Sequence, residues 1–291
     1  MNGEDESRRG QGTEHRALIA FFGLTFLFSW SLWLPKVAVA TGFSASGFLA
    51  PAIAWAATLP EVGAFGPTVA ALVLVYAYSG RSGVVRLLGR ALDRSFSRLW
   101  FVPALVLFPI LALTALGVAV VSGVEPTVPW VDEAYVLPIA FVFVLLLGGP
   151  LQEEFGWRGY ALDPLVERFG ALSASLGLGL VWGIWHLPWF YMPSMTLYYQ
   201  RPLVGFLVTI TLLSVVMTWV YANTGGSLAP VILLHASFNW SLWAFPAIES
   251  DVGGQAFIAL LAGVVLYVLL RHGPTNFSSS GPIPAGGVER L

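Results

Sequence analysis

Long uncharged apolar runs, separated by short polar breaks, occupy most of the chain. They fall at positions 17–34, 62–79, 99–121, 134–152, 171–190, 202–222, 228–246 and 255–270. A hydrocarbon core about 30 Å thick takes about 20 helical residues to cross, and these runs meet that length or fall just short of it. In lipid a backbone amide must find its partner within its own segment, so such runs form helices; the two-residue alternation of a membrane barrel is missing. The pattern predicts an all-α fold, a polytopic membrane helix bundle of about eight transmembrane helices. The first run is expected to remain as a helix, because Trp30, Trp33 and Pro35 stand where a cleavable signal needs small residues.

One run, 43–60, is ambiguous: Pro51 and Pro60 interrupt it, and only Glu61 parts it from the next. Arginines decide its status. Arg8, Arg9 and Arg16 precede the first helix, and Arg81, Arg86, Arg90, Arg94 and Arg98 lie between the second and third runs. Both clusters belong on the cytoplasmic side. They share it only if an even number of spans separates them, so 43–60 is expected to lie in the interface or re-enter. Both termini are then cytoplasmic, and only Lys36 and Arg201 among the basic residues fall outside. Residues 1–16 and 273–291 read as disordered tails around a single membrane domain, 17–272. The 83–99 stretch, apolar and basic at helical spacing, reads equally as a leaflet-bound amphipathic segment or a solvated connector.

Composition agrees with this picture and narrows the chemistry. Apolar residues make up 57% of the 291 and charged residues 10%, well below the quarter carried by a soluble domain, so little surface is built for water. The net charge of −2 points to no nucleic-acid partner; the partners expected are membrane lipids and a peptide or membrane-protein substrate. With no Cys, a disulfide framework, a thiol nucleophile and thiolate zinc sites are excluded.

Ionisable groups within spans are expensive and mark functional sites. Here they gather in the second half of the chain: Glu153, Glu154 and Arg158 in GGPLQEEFGWRGYAL, His186 in VWGIWHLPWF, and His235 with Asn239 in LLHASFNWSLW. Glu154 and Arg158, four apart, share a helix face and can pair. Glu153 sits about 100° around and points elsewhere. Trp182 and His186 share a face, with Pro188 expected to disrupt the helix just beyond. His235 and Asn239 share another. A carboxylate, two imidazoles and an amide from three helices suffice for hydrolysis: one pair to deprotonate a water, the other to donate to an oxyanion. Each piece also has a plain reading, as a topogenic cap, a packing histidine or an interhelical stitch.

Taken together, EExxxR, aromatic-xxx-H and HxxxN in this order resemble the CPBP (Abi) family of intramembrane proteases, which includes the type II CAAX prenyl endopeptidases. The resembling core covers about 134–246, and GAFGPTVAA at 63–71 looks like the family's preceding GP-containing helix. The resemblance implies an integral protein of a prokaryotic plasma membrane that hydrolyses peptide bonds near the cytoplasmic face. It implies that Glu153 and His186 activate the water, His235 and Asn239 stabilise the oxyanion, and Glu154 with Arg158 braces the site. Trp182 stands where the family usually has Phe. No substrate is fixed by the resemblance.

Cofactors are the open part of this reading. Glu153, His186 and His235 form the His₂Glu inventory of many catalytic zinc sites, and family members carry the metalloprotease label. No HExxH is present, and the only evident orienting partner is Asn239, one turn from His235. A metal-free glutamate mechanism is therefore the expectation. Two other functions use the same residues: a silent scaffold or immunity-type protein that binds a partner in the cavity, and a transporter relaying protons. The transporter needs ionisable groups spaced across the bilayer and usually repeated halves, and no repeat is visible. His186 sits awkwardly in every version, nearer the outer end of its run than Glu153 should be.

Overall fold

In a computed structural model describing residues 2–43 and 47–278, every regular element is helical. The helices are α1 (Asn2–Ala40), α2 (Leu49–Ala57), α3 (Gly66–Gly89), α4 (Phe101–Val121) and α5 (Val136–Leu147). They continue with α6 (Pro150–Gly156), α7 (Leu162–Trp185), α8 (Leu203–Asn223), α9 (Ala229–Ala244) and α10 (Asp251–His272). Each of the eight apolar runs lies on this framework. Among the described residues, six segments are long and apolar enough to cross a membrane, so the chain is a multi-pass helical membrane bundle. One of the six, Val136–Tyr191, takes in the fifth run and all but the first two residues of the fourth, while α9, at 16 residues, carries the seventh below full spanning length.

The ambiguous 43–60 run contributes only α2. Nine helical residues reach about 14 Å, half of what a crossing needs. None of them is buried. Positions 44–46 of the run lie outside the described residues. Beside it, Lys36 pairs with Glu61 at 2.5 Å and donates to the Leu59 carbonyl at 2.6 Å, while the Trp33 indole donates to Glu61 at 3.1 Å. The end of α1 is thereby tied to the start of α3.

Two expected tails differ. The backbone of α1 is helical from Asn2, through the stretch read as disordered. No Pro occurs before Pro35, and Glu4 and Asp5 lie where a helix N-terminus favours negative charge, so nothing stops the helix from propagating backward. At the other end, residues 273–278 dock. The α7 helix kinks at Gly170 (φ 74°), and the freed N–H groups of Ala171 and Leu172 donate to Thr275 O at 2.7 Å and Pro274 O at 2.9 Å. Phe277 is fully buried there, and Asn223 donates to its carbonyl. Residues 279–291 lie outside the described residues.

Small residues set how closely the helices approach. A Cβ on Gly66 would strike Ser29 of α1, and one on Gly156 would strike the Pro67 backbone. The GAFGP segment is therefore wedged between α1 and α6. Gly179 does the same for α7 on α8, where a Cβ would sit 2.8 Å from Ser214 Cβ and Thr211 Cα. The α4, α9 and α10 helices meet through Phe108, Phe238 and Phe257.

Within the 83–99 stretch, Arg90 turns inward onto the bundle. Its guanidinium donates to Gly159 O at 2.8 Å and Gly226 O at 3.0 and 3.1 Å, pairs with Asp163 at 3.3 Å, and bonds the Tyr221 hydroxyl. One planar fork thus joins the end of α3 to α7, α8 and the α8–α9 turn. Removing it strands Asp163, which is buried. Arg90→Ala should lower unfolding stability by about 3 kcal/mol, and Lys should restore little because a single ammonium cannot span these acceptors. Melting followed by intrinsic Trp fluorescence checks this; a Lys variant as stable as wild type would refute the clamp.

Candidate active site

The chain breaks between α5 and α6 at Gly148 and Gly149. Gly149 has φ +111°, its N–H donates to Gln152 Oε1 at 3.0 Å, and Pro150 opens α6. A second irregularity follows, a π-helical turn over Trp157–Ala161 that carries Arg158. Such turns widen a helix by one residue and recur at functional sites. Glu153 and Glu154 lie between the two breaks, well inside the fold.

The adjacent glutamates have different partners. Glu154 receives Arg158 Nη1 on both oxygens, at 3.0 and 3.1 Å, and His235 Nδ1 at 2.8 Å. Glu153 turns the other way and accepts the Trp182 indole N–H on Oε2 at 2.6 Å. Both are buried, as are Arg158, His186 and His235, none more than 3% exposed. The site is closed, so any substrate must displace what covers it.

Trp182 is the hub. Its N–H holds Glu153, its carbonyl faces His186 Nδ1 at 2.9 Å, its ring carries the Arg158 guanidinium at 4.5 Å, and its edge meets His235 at 5.1 Å between centroids. A carbonyl only accepts, so His186 Nδ1 bears the proton and Nε2 the lone pair. The α7 helix ends at Trp185 and His186 caps it, with Pro188 in the 3₁₀ turn that follows, as the spacing predicts. Trp185, Trp189, Phe206 and Tyr198 box the imidazole in, Tyr198 lying nearly parallel to it at 5.8 Å. Tyr198 and Phe206 carried no signal in the sequence, being aromatic residues among many.

On α9, His235 and Asn239 share a face. Asn239 Nδ2 donates to Gly148 O at 2.8 Å and lies 3.3 Å from His235 Nε2. The Gly148 carbonyl fixes which end of the amide points inward. With Nδ1–H on Glu154, neutral His235 presents a lone pair at Nε2, occupied by that amide. It can donate from Nε2 only as an imidazolium.

The two halves of the set meet at Gly149. A Cβ there would lie 2.6 Å from Glu153 Oε1 and 3.5 Å from Asn239 Nδ2. All seven residues singled out from the sequence are therefore in one bonded neighbourhood. His186 is joined to Glu153 only through Trp182; no hydrogen bond links the two directly among the described residues.

A catalytic zinc would draw on Glu153, His186 and His235. Both imidazoles have orienting partners that the sequence did not reveal, the Glu154 carboxylate and the Trp182 carbonyl, of the kind that zinc ligands use. The donor set itself does not fit. Glu153 Oε2 is engaged by an indole N–H and His235 Nε2 by an amide N–H, and no three His, Asp or Glu among the described residues are grouped to hold a metal ion.

Comparison with known proteins bears on the same segment. Residues 135–241 match the family model described as Type II CAAX prenyl endopeptidase Rce1-like. Over 136 residues the chain is 26% identical to a protein named CAAX prenyl protease 2 from Methanococcus maripaludis. That alignment covers 44% of this chain and 50% of the relative, so the chain matches about half the relative's length. All seven site residues lie within 135–241.

Proposed function

We propose, from the premise that residues 135–241 form a type II CAAX prenyl endopeptidase-like core, that this protein is an intramembrane endopeptidase in which Glu153 activates the attacking water. The observation that carries this is the separation of the two glutamates. Glu154 is neutralised by Arg158 and oriented toward His235, whereas Glu153 has only uncharged indole neighbours, Trp182 bonded to Oε2 and Trp157 beside it, and turns Oε1 toward Gly149. A carboxylate so placed takes the water proton while the oxygen adds to the peptide carbonyl carbon. The resulting oxyanion falls to Asn239 and to His235 as an imidazolium, with His186 Nε2 a further acceptor beside the water. The C–N bond breaks as the proton passes from Glu153 to the leaving amine, giving a free carboxylate and a free amine. No metal is needed in this sequence of steps.

The relative's name points to prenylated CAAX substrates; for this chain the proposed class is wider, a membrane-tethered peptide cut on the cytoplasmic side. Glu153, Glu154, Arg158, Trp182, His235 and Asn239 are linked in one cluster instead of being laid out along a path, which favours hydrolysis over proton relay. The test is terminal proteomics on membranes containing wild type or Glu153→Gln. New peptide termini in the wild type alone support the reading, and their absence together with retention of an intact bound peptide supports a scaffold.

Two further outcomes are expected. Trp182→Phe keeps a ring over Arg158 but removes the donor to Glu153; a hydrogen bond to a charged group contributes about 1.5 kcal/mol or more, so kcat should fall about tenfold with the fold retained. Unchanged kcat would mean that this N–H does not position the base. Reporters fused at Met1 and at Leu291 should both read cytoplasmic, from the arginine distribution; opposite sides would require an odd number of spans.

A further inference from the structure

Two apolar grooves open on the sides of the bundle, and they differ in the polar groups they carry. One, of about 380 Å³, runs between α4, α8 and α10 past Leu107, Trp219 and Val264, and its lining carries no charge. The other, of about 280 Å³, lies between α1 and the part of α7 that precedes the Gly170 kink. Each of its walls carries one polar side chain, His15 on α1 and Arg168 on α7.

The second groove forms because both helices turn other faces to the core. On α1, Ala17 and Phe21 are buried, Phe21 stacking on Tyr160 at 5.1 Å, which leaves Leu18, Ile19 and Phe22 as one wall. On α7, Leu162 and Val166 are buried, and Leu165 and Phe169, four apart on one face, form the other wall. Ile19 and Phe169 are each more than half exposed, so the groove is open along its side. From His15 to Phe22 the α1 wall runs about 10 Å along the helix, polar at its start and apolar for the rest.

The cation at this groove has no carboxylate to balance it. Arg168 Nη1 donates to His15 Nδ1 at 3.3 Å, and the guanidinium packs on the Phe169 ring at 5.2 Å. Among the described residues no acidic side chain pairs with Arg168; Glu167 is exposed beside it and lines no part of the groove. With Nδ1 accepting, neutral His15 carries its proton on Nε2, a second donor next to the unused N–H groups of the fork. The depth matches as well. The first membrane-crossing segment starts at His15 and the fifth apolar run at 171, and Arg16 is exposed alongside. Apolar chain gives way to headgroups at that level, on the arginine-bearing face of the bundle.

We infer that this groove binds one anionic phospholipid, its phosphate held by Arg168 and His15 and one acyl chain laid between Leu18 and Phe22 on one side and Leu165 and Phe169 on the other. Charge complementarity selects the headgroup: an unpaired guanidinium beside an apolar groove at the membrane surface favours a lipid that brings net negative charge. The site is remote in sequence from the hydrolytic residues and does not depend on what they do.

The experiment titrates the full-length protein, in a neutral detergent, with phosphatidylglycerol or with phosphatidylcholine of the same chains, and follows binding by native mass spectrometry. Wild type should take up one phosphatidylglycerol about tenfold more tightly than phosphatidylcholine, and Arg168→Gln should abolish that preference. Arg81→Gln makes the same charge change at an exposed arginine outside the groove and should leave the preference within about twofold of wild type. Equal losses in the two variants would mean that net charge alone draws the lipid, and would overturn the inference. Ile19→Trp keeps both polar groups but crowds the acyl chain, and should weaken phosphatidylglycerol about fivefold. Unchanged binding in that variant would remove the groove as the place where the chain lies. All three positions are exposed, so the variants keep the fold. Glycerol 3-phosphate, which presents a phosphate without the tails, should not displace the lipid even in large excess. Full displacement would reveal a site for a soluble anion and would overturn the assignment to a lipid.

Discussion

Glu153→Gln should insert and melt like wild type yet hydrolyse peptide bonds about 1,000-fold more slowly or worse, the upper part of the range for losing a general base. Gln has the volume of Glu, and its carbonyl oxygen can still accept the Trp182 indole N–H now 2.6 Å from Glu153 Oε2. That bond directs the amide nitrogen to the Gly149 side, where Glu153 Oε1 stands. A proton acceptor is thereby replaced by a donor at the working position, with packing unchanged. Substitution in this place isolates protonation from structure more cleanly than Ala would. Turnover within a few-fold of wild type would remove Glu153 as the base.

Arg158→Ala should be the most damaging single change to folding. Arg158 and Glu154 are both fully buried, and Nη1 contacts both carboxylate oxygens. Removing one member of a buried pair typically costs about 3–5 kcal/mol, because the other charge is left without compensation. The guanidinium also lies on the Trp182 ring, so its loss loosens the residue that holds Glu153 and His186. The double change Glu154→Gln with Arg158→Gln removes both charges and leaves a carbonyl to accept His235 Nδ1–H. It should recover more stability than activity, since His235 then loses the carboxylate that orients it. Folding yield and melting temperature of Glu154→Gln, Arg158→Gln and the double form a cycle, and additive losses would show that the pair is not coupled.

Much of this arrangement is legible in the sequence, for a physical reason. Hydropathy reports which residues tolerate lipid, so the eight runs could be read directly, while 43–60 stayed ambiguous by pattern and was set apart only by the arginines on either side of it. Spacing of four reports a shared helix face, so Glu154 with Arg158 and His235 with Asn239 could be paired within their own helices. What spacing cannot report is how one helix is turned against another. The Glu154–His235 bond joins residues 81 apart, the Trp182–Glu153 bond residues 29 apart, and the Arg90 fork reaches Gly226, 136 positions away. Those rotations are set by close approaches such as Gly156 on Pro67 and Gly179 on α8, whose glycines look like any others among the chain's 31. The docked 273–278 segment was hidden for a related cause. Its composition is that of a tail, and its role appears only once the kink at Gly170 leaves two amides in need of acceptors.

In the proposed mechanism the neighbouring glutamates perform different tasks, Glu153 in proton transfer and Glu154 in holding Arg158 and His235. The measurement that tests it most directly is hydrolysis of one cleavable peptide by wild type, Glu153→Gln and Glu154→Gln, with the melting temperature taken on the same preparations. The account predicts a Glu153→Gln variant with wild-type melting and almost no turnover, and a Glu154→Gln variant that melts markedly lower and retains more activity than its neighbour. A Glu154→Gln variant that melts like wild type but is inactive, beside a Glu153→Gln variant that still cleaves, would contradict it.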